Sequence, residues 1–254
     1  VNLALKEICL KKSNKIEVLQ SMLQSAASRA NKEWFEAYLK HVIRYRGLKT
    51  PQVVTIVKLW RSNERIGELS LQEQFELAAQ LIGAEYAEDK FSGIFYMEKY
   101  LVGKIAFKDF FSCAEDLFSK NAFTNWATTD WFNVRVLSPL ITLHGKDAVE
   151  HFTSWTNCDD IWQRRSSILC LRACVKSPNY LKHISRVIAK LSPDPERFIQ
   201  TAIGWLLSDL SRSYPKVAEK IIEDNFEYIS SEAIRRHTKY LPMHKKYVAR
   251  KKLG

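Results

Sequence analysis

The chain has 254 residues, enough for one large domain or two small ones, and 46% of them are apolar, sufficient for a continuous core. Only 8 glycines and 7 prolines argue against a turn-rich β protein. No apolar run approaches about 18 residues, so no membrane span is expected, while a net charge of +11 points to acidic partners, nucleic acid before lipid.

The pattern along the chain is helical nearly throughout. Residues 1–15 mix apolar and lysine residues without a small-residue cleavage site and do not read as a secretory signal. Residues 16–23 place Ile16, Leu19 and Leu23 on one face, and 34–43 repeat at i, i+3, i+4 before Gly47 and Pro51 punctuate. Amphipathic segments follow at 53–60, 71–81, 107–118, 126–143, 148–155 and 161–175, then at 181–191, 198–210, 215–225 and 230–240. Ser177-Pro178, Ser192-Pro193-Asp194-Pro195-Glu196 and Tyr214-Pro215 read as helix breaks. Helices of about 10–15 residues, paired every 35–40 or so, are what a solenoid of antiparallel helix pairs requires. The expectation is one all-α domain over 1–254, with a basic tail at about 243–254.

Charge is unevenly placed. Residues 164–190 and 235–252 carry many basic and no acidic residues, whereas 64–89 is mostly acidic. A one-sided cation distribution is the footprint expected of phosphate binding. Five cysteines (Cys9, Cys113, Cys158, Cys170, Cys174) form no CxxC pair. They read as reduced thiols of a cytoplasmic protein, or a nuclear one in a eukaryote. Cys170 and Cys174 share a helix face near His183, but read as core thiols rather than metal ligands, and no metal or cofactor is expected.

Four residues stand out. Trp126 and Asp130 sit at i, i+4, which puts indole and carboxylate on one helix face. Arg165 and Trp205 follow, each about one repeat further on. Stacked repeats would bring two aromatic walls, an anion and a fixed cation to one concave surface. Taken singly, each has a plainer reading: a core tryptophan, a capping carboxylate, a solvated arginine. Trp34, Trp60, Trp155 and Trp162 are themselves read as core.

Ordered segments then carry a resemblance. They are Tyr38-Leu39-Lys40 ahead of Arg46-Gly47-Leu48-Lys49-Thr50-Pro51, Asn125-Trp126 with Asp130, Trp162-Gln163-Arg164-Arg165-Ser166-Ser167-Ile168-Leu169, and Ile199-Gln200-Thr201-Ala202-Ile203-Gly204-Trp205-Leu206-Leu207. In order and spacing, from about residue 34 to 241, the chain resembles the AlkD-type DNA alkylation repair glycosylases. That resemblance implies a superhelical solenoid of HEAT-like repeats with a concave DNA-binding groove. It implies a catalytic cleft of Trp126, Asp130, Arg165 and Trp205, with Tyr38, a cleft tyrosine, and Arg164 and Arg165 on the DNA. Two places depart: Ser208 stands where the family usually has arginine, and Tyr86-Ala87-Glu88-Asp89-Lys90 matches no motif.

The chemistry follows. Alkylation at N3 or N7 makes a purine cationic and a good leaving group, and its N-glycosidic bond breaks through an oxocarbenium-like sugar. The enzyme needs an anion beside that sugar and a held water, which suits Asp130. Tryptophan faces would stack on sugar and base, and an arginine would clamp phosphate. The expectation is therefore a monomeric, monofunctional DNA glycosylase acting on cationic alkylpurines in duplex DNA, without a base-specific pocket. A non-catalytic scaffold for bent, branched or damaged DNA is the alternative, and a protein-binding solenoid a third.

Overall fold

The computed structural model describes the backbone of residues 2–253 and the side chains of 14–252. The side chain of Cys9 lies outside the described residues. Those residues are all-α, and the one bridge between extended residues among them joins Arg44 to Tyr86. They divide between Val136 and Leu137 into two compact units.

The first unit holds α1 (Asn2–Ser25), α2 (Arg29–Tyr38), α3 (Thr50–Asn63), α4 (Leu71–Gly83), α5 (Ala87–Tyr96), α6 (Phe107–Ser119) and α7 (Trp126–Phe132). Caps set several starts. Ser70 and Glu73 exchange bonds as a capping box on α4, and the Ser28 and Asn125 side chains accept from Asn31 and Thr128. The centre is α5, which packs on α3, α4 and α7. Every residue from Ala87 to Tyr96 is buried. At Gly93 a Cβ would lie 2.4 Å from the Ala78 carbonyl oxygen, so only glycine permits the approach of α4.

The sequence pattern predicts no helix over 87–96. A helix buried all round lacks the polar face by which periodicity is recognised. The predicted 34–43 segment is shifted as well. Capped by Ser28, α2 begins at Arg29, and it ends at Tyr38 because Lys40 and His41 turn into the left-handed region at φ 54° and 57°. Trp34, read as core, is 60% exposed, whereas Trp60 is buried in the core as expected.

The second unit holds α8 (Ser138–His144), α9 (Lys146–Ser154), α10 (Ile161–Leu169), α11 (Leu181–Leu191), α12 (Arg197–Ser213), α13 (Pro215–Asp224), α14 (Ser231–His237) and α15 (His244–Leu253). Helix pairs build two layers, α9, α11 and α13 in one and α10, α12 and α14 in the other. Such stacked antiparallel pairs are the HEAT-like arrangement. The predicted 181–191 segment coincides with α11, whose Ile184, Val187, Ile188 and Leu191 are buried at helical spacing. Both predicted breaks beside α12 are observed, with helix ending at Leu191 and Ser213 and resuming at Arg197 and Pro215. Gly204 brings α12 against α14, where a Cβ would lie 2.5 Å from the His237 ring.

Trp155 is buried, Trp162 is half-buried against Phe198, and Cys170 and Cys174 are core thiols. Burial pushes the Cys174 thiol up to about 12, which leaves it protonated and inert. The basic tail folds: α15 buries Tyr247, and Arg250 lies 3.8 Å from the Phe226 ring centroid while pairing with Glu223.

Candidate nucleic-acid interface

In the first unit the Asn125 side chain caps α7, and Trp126 opens the helix half-buried. One turn on, Asp130 is 7% exposed. The Thr129 hydroxyl donates to the Asn125 carbonyl at 2.7 Å and Asn133 donates to the Thr129 carbonyl at 2.9 Å, which stiffens the helix around the carboxylate. The Tyr38 ring meets Trp126 edge to face, with centroids 5.7 Å apart at 79°. Tyr38 is 58% exposed and stacks on Trp34 at 5.2 Å and 6°. The structure thus brings Tyr38 to Trp126 and adds Trp34.

Helix α2 buries none of its residues, so packing alone does not hold it. Polar bonds do. The Asn31 amide donates to the Gly47 carbonyl at 3.1 Å, and Glu36 accepts the Tyr45 N–H at 2.9 Å. Ser28 N–H donates to the Arg46 carbonyl at 3.2 Å. Gly47, at φ 96°, lets the loop close, since a Cβ there would lie 2.1 Å from the Ser28 carbonyl oxygen.

The loop is in turn fastened to α5 by the residues that matched no motif. Glu88 Oε1 accepts the N–H groups of Arg46, Gly47 and Leu48 at 3.1, 2.8 and 3.0 Å. Asp89 takes the Arg46 guanidinium in a two-bond pair at 2.8 and 3.0 Å, with Gln20 donating at 3.1 Å. Tyr86 covers the same guanidinium at 4.0 Å. Lys90 donates to the carbonyls of Ile82 and Ala122 at 2.9 and 2.7 Å. Glu88 and Asp89 therefore form the buried anchor of the loop that carries α2, while Lys90 ties α5 to Ile82 and Ala122.

In the second unit, the Asp160 side chain caps α10 by accepting the Gln163 N–H at 2.7 Å. Arg165 is 4% exposed and donates to the Phe198 carbonyl and, at 3.2 Å, to the Thr201 hydroxyl. It lies 6.0 Å from the centroid of Trp205, which is 37% exposed. Arg172 is nearer that ring, at 4.8 Å, with its Nε on Asp209 at 2.6 Å. Position 208 is a half-buried serine, and the nearer of the two cations over Trp205 is Arg172, on the 3₁₀ turn Cys170–Cys174. Arg164 is committed to Asp194 at 2.9 Å and to the carbonyls of Cys158 and Asp159 at 2.9 and 2.7 Å.

Sequence reasoning missed Trp34 and Arg172 as neighbours of the candidate residues. The i, i+4 spacing of Trp34 to Tyr38 was a usable signal. Nothing in the spacing separates Arg172 from the other cations of 164–190.

Comparison with known proteins follows the same lines. A family profile described as "DNA alkylation repair enzyme" matches residues 19–241. No curated protein sequence is significantly similar. Among solved structures the fold is similar to a predicted DNA alkylation repair enzyme from Enterococcus faecalis, with TM-score 0.72, 19% identity, 85% of this chain and 97% of that one covered. It is also similar to AlkD2 from Streptococcus mutans, with TM-score 0.55, 18% identity, and 76% and 100% covered. A third similar structure is smu.31 from Streptococcus mutans UA159, with TM-score 0.52, 16% identity, and 79% and 97% covered.

Proposed function

We propose that this chain, which belongs to the DNA alkylation repair enzyme family, is a monofunctional DNA glycosylase that releases cationic alkylated purines, of the 3-methyladenine and 7-methylguanine type, from duplex DNA. The observation that carries this reading is Asp130, a nearly buried carboxylate one helical turn from the half-exposed face of Trp126. A chain that only gripped phosphate would have little use for an anion there.

Chemically, the C1′–N bond breaks and its electron pair returns to the base, discharging the positive charge left by alkylation. Asp130 stabilises the oxocarbenium character that develops at the sugar and orients the water that attacks C1′, accepting its proton. Trp126 and Trp205 offer π faces to sugar and cationic nucleotide, at about 0.5–2 kcal/mol each. Tyr38 buttresses Trp126 from its edge. Arg172 and Arg165 supply the phosphate-attracting charge beside Trp205, with Arg165 set by Phe198 and Thr201. Arg164 holds its own turn against Asp194, which keeps the start of α10 in place for the neighbouring Arg165. No metal or cofactor is required, because the leaving base already carries its charge.

The test is base release from duplex DNA carrying 7-methylguanine or 3-methyladenine, wild type against Asp130→Asn. Loss of the carboxylate should slow release by about 100-fold or more. No release by wild type, or equal release by both, removes the mechanism. A second reading, DNA binding without base release, draws on the net charge of +11 and on Ser208 at the position where the family usually has arginine. Steeply salt-dependent duplex binding with no released base would establish it.

A further inference from the structure

We infer that Trp34 is a DNA-contacting residue, and that its stack with Tyr38 is a platform for the face of an unpaired nucleobase. The proposal rests on the reading of the chain as a DNA-binding repair enzyme, and adds a contact to it that no motif assigns.

The two rings are nearly parallel, 6° apart, with centroids 5.2 Å apart, and Tyr38 is braced at 79° by Trp126. At 60% exposure, Trp34 ends this series with an uncovered indole. Two large aromatic side chains left in water on one helix are costly unless something covers them. The helix is also held at unusual expense: with no buried residue of its own, α2 is fastened through Asn31, Glu36 and Ser28 to a loop that buried Glu88 and Asp89 hold. That construction presents a face instead of burying one.

The surrounding charge selects the occupant. Both α2 carboxylates are engaged, Glu33 with Arg29 and Glu36 with the Tyr45 N–H. Lys32 and Lys40 have no ion-pair partner among the described residues. Lys32 also lines, with Arg29, Tyr45, Arg46 and Tyr86, a cavity of about 410 Å³ that holds no carboxylate. A flat π face on a segment that also carries unpaired lysines at positions 32 and 40 suits a polyanion that carries planar bases, and unpaired bases stack on such faces without regard to sequence. Paired bases keep their faces inside the duplex, so the platform discriminates against intact DNA.

The test uses a duplex with one bulged 2-aminopurine and the same duplex with that base paired. Wild type should quench the bulged fluorophore on binding. Trp34→Ala should lose the quenching and bind the bulged duplex about 10- to 100-fold more weakly. It should bind the paired duplex as wild type does, and Trp34→Phe should retain most of both effects. Wild-type binding of the bulged duplex by Trp34→Ala, or an equal loss on both duplexes, overturns the platform. Base release from methylated duplex is measured alongside. Release absent with the Trp34 discrimination intact removes the glycosylase reading and leaves the platform. Release present with no Trp34 discrimination removes the platform alone.

Discussion

Replacing Glu88 by glutamine keeps the shape of the side chain and removes its charge, so it isolates what the buried carboxylate contributes. Oε1 accepts three consecutive N–H groups, from Arg46, Gly47 and Leu48, and Oε2 accepts the Arg46 N–H again at 3.0 Å. Bonds to a charged acceptor contribute about 1.5–3 kcal/mol each, roughly twice their neutral counterparts. A glutamine can leave its amide oxygen at Oε1 and keep three weaker bonds. Its NH₂ group then faces the Arg46 N–H, donor against donor. The expected cost is about 2–3 kcal/mol. Glu88→Ala orphans three buried N–H groups and should cost about 4–6 kcal/mol, less than three full penalties because the loop can open to water. For a chain of this size each kcal/mol moves the midpoint by about 2–4 °C. Thermal and urea unfolding should therefore place Glu88→Gln about 5–10 °C below wild type and Glu88→Ala well below that. Hydrogen exchange should quicken at Gly47 and Leu48 in both. A glutamine variant within about 0.5 kcal/mol of wild type would refute the anchoring role, as would glutamine and alanine variants of equal stability.

Two other outcomes follow from the charges around the same elements. Burial pulls the Lys90 ammonium down to about 8, against a smaller opposing pull from Asp89. Between that value and the ordinary 10.5 the unfolded chain holds more protons, so stability attributable to Lys90 rises with pH over this window, by about 3 kcal/mol at most, and is lost as pH falls through 8. Urea unfolding at pH 7.5 and 10 should show wild type gaining on Lys90→Met, and parallel behaviour of the two proteins would exclude it. Arg172→Ala, which removes the cation over Trp205, should weaken duplex binding and lower the slope of log K against log salt by about 1. Arg164→Ala should instead lower the melting temperature and leave that slope unchanged, because its Nε is bound to Asp194 and its Nη1 to two carbonyls, whereas Arg172 is bound to Asp209 through Nε.

Helices with one wet and one dry face were legible from residue order alone. Helix α11 shows this best, since Ile184, Val187, Ile188 and Leu191 are buried at the spacing its pattern announces. Trp126 and Asp130 share a face of α7 for the same reason, one set by helical geometry and independent of the rest of the fold. The resemblance to the repair glycosylases, and the family membership it anticipated, also lay in residue order.

Tertiary structure decided what periodicity does not encode. In α5 every face is covered, so its charged residues gave no hint that they pair with a loop some forty residues earlier. At the end of α2, apolar Leu39, Val42 and Ile43 continue a helical rhythm that the backbone abandons at Lys40 and His41. Which tryptophans are core and which are exposed was equally out of reach. An indole has the same hydrophobicity at position 34 as at position 60, and only the neighbours that long-range contacts bring determine whether water remains on it. Local order therefore determined the helices with one wet and one dry face and the shared face of Trp126 and Asp130, whereas burial and buried charge pairing, which depend on residues distant in the chain, decided α5 and how α2 presents Trp34 and Tyr38.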